Sequence, residues 1–138
     1  MKIAIRYFTL SKKGNTIKLA NVVSEVAKVE ALTVDKDLEE EVEVLFLVNA
    51  MYAFNIDEEV KEFLKRNADK IKCLVNVNSA ASGASTLKAV KKAAKPLNIP
   101  VSDKEYHTVA SWLALNKNRP NENDLNRLKE FVEGVIKQ

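Results

Sequence analysis

The chain has 138 residues, 46% of them hydrophobic and 30% charged, the balance of a folded globular protein and not of a disordered or fibrous one. Its apolar runs are broken by charges well before the roughly eighteen residues that cross a bilayer, its first residues lack the long apolar region of a signal peptide, and a single cysteine (Cys73) with a single histidine (His107) makes neither an internal disulfide nor a thiolate metal set. A net charge of +3 is too slight to mark a nucleic-acid binder, so we expect one cytoplasmic domain over residues 1–138, with neither nucleic acid nor membrane as a partner.

Ile3-Ala4-Ile5-Arg6-Tyr7-Phe8 reads as a first strand. From Asn15 onward Ile17, Ala20, Val23 and Ala27 share one helical face, which Leu19, Val22 and Val26 widen toward deep burial. Val29 to Val34 reads as a second strand, and the acidic stretch Asp35 to Glu43 as a short helix around Leu38 and Val42. Val44-Leu45-Phe46-Leu47-Val48 is nearly unbroken in hydrophobicity, as expected of a central parallel strand covered on both faces. Asn55 and Glu58 have capping-box spacing before a helix carrying Ile56, Val60, Phe63 and Leu64 inward.

Ile71 to Val77 returns to strand, followed by the loop Asn78-Ser79-Ala80-Ala81-Ser82-Gly83 and a helix with Leu87, Val90, Ala94 and Leu97 at helical spacing, ended by Pro96 and Pro100. A fifth strand falls within Tyr106 to Trp112. Pro120-Asn121 then opens a last helix, with Asp124 in the capping-box place and Leu125, Leu128, Val132, Val135 and Ile136 as its inner stripe. Strands alternating with helices predict right-handed crossovers and a parallel sheet with helices on both faces.

Ligands in such sheets bind beyond the carboxyl ends of the strands, where strand order reverses. The first of these loops, Thr9-Leu10-Ser11-Lys12-Lys13-Gly14-Asn15-Thr16, leads from a strand into a helix whose N-terminus carries roughly +0.5 of an elementary charge and unpaired amides, a setting suited to a phosphate of about −1.5 to −2. Ser11 and Thr16 add hydroxyl donors, Lys12 and Lys13 add charge, Gly14 permits close backbone approach, and Asn15 serves the turn or caps the helix. Alone, Gly14-Asn15-Thr16 is equally an ordinary turn and cap. The Walker spacing and the three-glycine dinucleotide fingerprint are both missing, which disfavours ATP, GTP and NAD.

Tyr7-Phe8-Thr9-Leu10-Ser11-Lys12-Lys13-Gly14-Asn15-Thr16 resembles the phosphate-loop signature of the flavodoxin family, which commonly ends in Thr-Gly-Asn-Thr. In the same order along the chain, Leu45 to Phe54, with its Tyr52-Ala53 pair, resembles that family's third strand and following loop. Asn76 to Ser85 resembles its fourth-strand loop, and Asn116 to Glu122 the approach to its last helix in short members. Lys12 and Lys13 stand where family members often carry small or hydroxyl residues, and Val48 where glycine is frequent. The family's electron carriers are typically acidic, unlike this mildly basic chain.

The resemblance implies a five-stranded parallel sheet of order 2-1-3-4-5, a bound FMN, and electron transfer between redox partner proteins by a monomer or weak dimer. Thr9, Ser11, Lys12, Lys13, Gly14, Asn15 and Thr16 would then hold the phosphate. A flat, largely apolar isoalloxazine ring needs a wall. Tyr52 is the first candidate, within the loop Ala50, Met51, Tyr52, Ala53 and Phe54. The small side chains of Asn78, Ser79, Ala80, Ala81, Ser82 and Gly83 let backbone groups meet the ring's edge, and Trp112 either covers the second face or packs in the core.

No side chain is required to be catalytic. Two other readings stand beside this one: an FMN-dependent reductase or quinone-type oxidoreductase, and a flavin-free scaffold acting as a binding module. Receiver domains share the sheet order but need clustered acids after the first strand, where Lys12 and Lys13 stand. Cys73 and His107 read as packing residues, Arg6 as a buried charge beside a partner carboxylate, and Lys88, Lys91, Lys92 and Lys95 as one solvated helix face able to steer an acidic partner.

Overall fold

The computed structural model describes residues 1–10, 14–52, 55–111 and 118–137. Five strands, β1 (Ile3–Tyr7), β2 (Ala31–Thr33), β3 (Val44–Ala50), β4 (Leu74–Ala80) and β5 (Tyr106–Val109), form one parallel sheet of order β2-β1-β3-β4-β5. Four helices pack on it: α1 (Asn15–Ala27), α2 (Glu58–Asn67), α3 (Leu87–Ala94) and α4 (Glu122–Ile136). The expected fold class and strand order are both present. Among the described residues no helix is long and apolar enough to cross a membrane.

The period of two in the central strands divides the core. Phe46 and Val48 of β3 join Ile5, Val75 and Val77 under α1 and α4, where Leu19, Val23, Leu128 and Val132 are fully buried. Leu45 and Leu47 point the other way, with Leu74, onto Val60, Phe63 and Leu64 of α2 and Val90 and Ala94 of α3. Removing a buried ring such as Phe46 or Phe63 from cores of this kind costs about 3–5 kcal/mol.

Several boundaries differ from expectation, among them β2, which spans Ala31–Thr33 and not Val29 to Val34. The stretch Asp35 to Glu43 forms no helix: it would stack Asp35 on Glu39, Asp37 on Glu41 and Glu39 on Glu43, each a like-charge pair one turn apart. It lies as a loop, with Leu38 and Val42 plugged into the core and Asn67 Oδ1 accepting the Leu38 amide at 2.9 Å. Arg6, 6% exposed, holds the same loop. Its guanidinium donates to the carbonyls of Lys36 (2.8 Å), Ile5 (3.0 Å) and Asp37 (3.2 Å), with the Asp37 and Glu39 carboxylates near enough to attract it. Burial lowers its pKa against the attraction of Asp37 and Glu39.

The cap of α2 is Asp57, whose carboxylate accepts the Glu59 amide at 2.9 Å, and not Asn55, whose side chain accepts the adjacent Ile56 amide. β4 begins at Leu74, because Ile71 makes only an isolated bridge to Val42. Asn78, Ser79 and Ala80 are therefore buried strand residues and not loop. The fifth strand, Tyr106–Val109, falls within the expected span. The capping box of Asn121 and Asp124 is present on α4 as expected, after a cis Arg119–Pro120 bond.

Candidate functional site

β1 lies between β2 and β3, so the chain leaves β1 toward one edge and returns on its other side; this is the strand-order reversal at which a crevice opens. The loops at that end are tied together. The Phe8 amide donates to the Val48 carbonyl at 3.1 Å, and the Leu10 amide to the Tyr52 hydroxyl at 3.1 Å. The Phe8 and Tyr52 rings meet edge to face, 6.5 Å apart at 89°. Tyr52 and Asn55 exchange backbone hydrogen bonds of 2.8 and 2.9 Å. The Met51 amide donates to Ser79 and the Ala110 amide to Ala80, carrying the connection to the ends of β4 and β5.

The N-terminus of α1 opens into this crevice. Gly14 is its N-cap, at φ −71° and ψ 144°; having no side chain it makes no side-chain cap, and the first turn holds no acid. A φ of −71° suits any residue. Asn15 is the first helical residue and does not cap. Its side-chain amide instead donates to the carbonyl (3.2 Å) and hydroxyl (3.1 Å) of Ser111, bracing the loop after β1 against that after β5. Thr16 is buried. The helix therefore presents the amides of Gly14, Asn15 and Thr16 to whatever occupies the crevice.

Of the expected site residues, Thr9, Gly14, Asn15, Thr16, Ala50, Met51, Tyr52, Ala80, Ala81, Ser82 and Gly83 lie at this end of the sheet. Ser11, Lys12, Lys13, Ala53, Phe54 and Trp112 lie outside the described residues, as do Asn116 and Lys117. Tyr52 is half-buried with its hydroxyl on a backbone amide, a placed ring and not a side chain trailing in water. Ala81 and Ser82 form the exposed apex of the β4–α3 loop. Gly83, at φ +79°, follows in a conformation other residues rarely adopt, and a Cβ there would meet Val109 Cγ2 at 3.0 Å.

Several residues take roles here other than those expected, and His107, expected as a packing residue, is one of them. His107 is exposed, and its Nδ1 lies 2.7 Å from the Gly83 carbonyl; a carbonyl only accepts, so Nδ1 carries the hydrogen and the ring tethers the loop. Asn49, Asn76 and Thr86 are buried with Asn78 behind the same loop. Behind the loop after β5, the Asp124 carboxylate accepts from Arg119 at 2.6 and 2.9 Å and from the Asn121 amide at 2.8 Å. Burial pushes that carboxyl up, but the Arg119 and Asn121 hydrogen bonds prevail and its pKa lies below the usual range. The Asn at alternate positions 76 and 78 of an apolar run was the available signal for the buried cluster.

Cys73 precedes β4 at the far end of the sheet, half-buried, its thiol pKa raised by burial. An open groove of about 440 Å³ lined by Lys91, Lys95, Asn98, Ile99, Pro100 and Val101 also lies at that far end, where Val101 bridges to Leu74.

No protein-family profile and no curated protein matches the sequence. Solved structures do match the fold. A flavodoxin from the domain Archaea superposes with a TM-score of 0.77 over 99% of this chain and 97% of its own, at 14% identity. A short-chain flavodoxin associated with a non-canonical PDU bacterial microcompartment gives 0.70 over 99% and 98%, at 18% identity. A flavoprotein from Lactobacillus acidophilus, solved in complex with FMN, gives 0.61 over 76% and 91%, at 12% identity. The chain has the flavodoxin-like fold, and its structural neighbours are flavodoxins and flavoproteins.

Proposed function

We propose that this protein binds FMN and carries electrons between redox partner proteins in the cytoplasm, as a monomer or weak dimer. The observation that carries the reading is the N-terminus of α1, which starts at a glycine and holds no acidic residue in its first turn, at the strand-order reversal of a flavodoxin-like sheet. The residues present fit the cofactor. The amides of Gly14, Asn15 and Thr16 would hold its phosphate, with Thr9, Ser11, Lys12, Lys13 and the Thr16 hydroxyl as further donors. Tyr52, flanked by Met51 and Phe54, would form a wall for the ring, the segment from Ala80 to Gly83 would meet its polar edge, and Trp112 would cover the other face.

Bound FMN supplies the one- and two-electron chemistry. The chain's own task is to bind it, orient it and exclude water from part of it. We assign no catalytic side chain.

Titration of the pure protein with micromolar FMN tests this reading. A saturable change in flavin fluorescence and absorbance, with no steady NAD(P)H consumption by the loaded protein, is expected. Steady NAD(P)H consumption would make the protein a reductase or quinone-type oxidoreductase instead, and absence of any saturable change would leave a scaffold without flavin.

A further inference from the structure

We propose that Asn49, Asn76, Asn78 and Thr86 form a buried positioning unit that fixes the β4–α3 loop and, through it, tunes how tightly and at what potential the flavin is held. This inference rests on the FMN reading above. The four residues are 1%, 0%, 0% and 1% exposed, the asparagines in strands whose other buried residues are mainly Leu, Val and Phe and Thr86 at the start of α3. Buried amides and hydroxyls are costly unless each polar atom is paired, and apolar residues of similar shape would fill such space at little or no loss of stability. Polar groups here therefore call for a role beyond filling volume.

The pairing is complete and has a direction. The Thr86 hydroxyl donates to Asn49 Oδ1 at 2.7 Å, Asn49 Nδ2 to Asn76 Oδ1 at 2.8 Å, and Asn76 Nδ2 back to Thr86 Oγ1 at 3.0 Å. In this closed ring each member gives one hydrogen bond and takes one, an arrangement in which each bond polarises the next. The ring joins β3, β4 and the start of α3. Asn78 carries it to the loop: its Oδ1 accepts from Asn76 Nδ2 (3.3 Å) and the Thr86 amide (3.0 Å), and its Nδ2 donates to the Ala84 carbonyl (2.9 Å). Both sides of the loop's second half are thus hooked to one buried amide, while His107 and the Gly83-to-Ala80 turn hold its first half. A loop built of Ala, Ser and Gly has little conformational preference of its own, so its shape comes from these attachments.

Thr86→Val keeps the shape and deletes the hydroxyl that closes the ring, Thr86→Ser keeps the hydroxyl, and Asn78→Ala leaves the ring intact but releases the loop. In the flavin-free protein, amide hydrogen exchange across Ala81 to Ser85 should quicken at least tenfold in Thr86→Val and Asn78→Ala and stay within twofold of the parent in Thr86→Ser. With FMN, the first two should bind about tenfold more weakly and show a displaced midpoint potential, while Thr86→Ser should restore both. A lowered melting temperature with unchanged loop exchange, FMN affinity and potential in Thr86→Val and Asn78→Ala would reduce the cluster to a structural filler and overturn the proposal. If the parent protein ignores FMN, the functional reading fails on that result. Loop exchange in the three variants still decides whether the cluster positions the loop.

Discussion

Helices α1 and α4 pack against each other on one side of the sheet, yet their N-termini are finished in opposite ways. That of α4 is closed by its own chain: Asn121 accepts the Asp124 amide at 3.0 Å, Asp124 accepts the Asn121 amide at 2.8 Å, and Arg119 neutralises the carboxylate. That of α1 starts at a glycine, with no acid in its first turn. Elsewhere Asp57 caps α2, and Ser85 Oγ accepts the Leu87 amide of α3 at 2.9 Å. A side-chain cap is worth about 1 kcal/mol, so the open end of α1 forgoes stability and retains donors and roughly half a positive charge at the crevice. On the FMN reading proposed above, the contrast is between a helix end that serves the fold and one that would serve a ligand.

The sharpest way to break the contrast is to give α1 a cap. Gly14 already has the extended backbone of an N-cap, so Gly14→Asp should leave the fold intact and raise stability by up to about 0.5 kcal/mol in thermal unfolding, since glycine is itself a fair cap. The same carboxylate would occupy the amides and repel a phosphate, and FMN affinity by fluorescence titration should fall at least ~100-fold. Stability and binding moving in opposite directions is the expected signature.

The reverse experiment weakens the closure of α4 by removing the Asp124 carboxylate, while Asn121 still accepts the amide of residue 124. Asp124→Asn, at a residue 3% exposed, should cost about 1–2 kcal/mol in denaturant unfolding while FMN affinity stays within twofold. The same group governs part of the acid limb. Because its folded pKa lies below the unfolded value of about 3.9, its contribution is complete above that pH and is lost as pH falls through the folded value. Asp124→Asn should therefore flatten the decline in stability below about pH 4, read as midpoint shifts across a pH series. The smallest effect belongs to α3, where exposed Lys88 stands in the first turn against the helix dipole. Lys88→Glu should stabilise by about 0.3–0.5 kcal/mol in the same assay.

What could be read from sequence follows where each signal resides. The unbroken run Val44 to Val48 and the alternation of strand and helix are local patterns dictated by burial, and they led to a parallel sheet covered on both faces, whereas its order 2-1-3-4-5 came from the flavodoxin resemblance; the Asn121 and Asp124 spacing led to a cap that is present. The helix expected over Asp35 to Glu43 failed because apolar spacing was weighed without the like-charge stacking it entails, and because Arg6, far away in sequence, supplies the loop with partners. The start of β4 was displaced because Ile71 is apolar but lies beyond the ladder with β3. The buried ring was out of reach for a related reason: it needs the register that sets Leu47 beside Asn76 and Asn49 beside Asn78, which no local pattern encodes. For the candidate site, the loops could be named from the strand ends, while the bracing of Asn15 on Ser111 and of His107 on Gly83 depends on loops brought together only by the fold.

Comparison of FMN with riboflavin, which carries the same ring and no phosphate, tests the central claim most directly. Parallel fluorescence titrations should give an FMN dissociation constant at least ~100-fold lower, with the largest FMN-induced amide shifts in the spectrum of the labelled protein at Gly14, Asn15 and Thr16. Equal affinity for the two flavins, or amide shifts that bypass those three residues, would contradict the account.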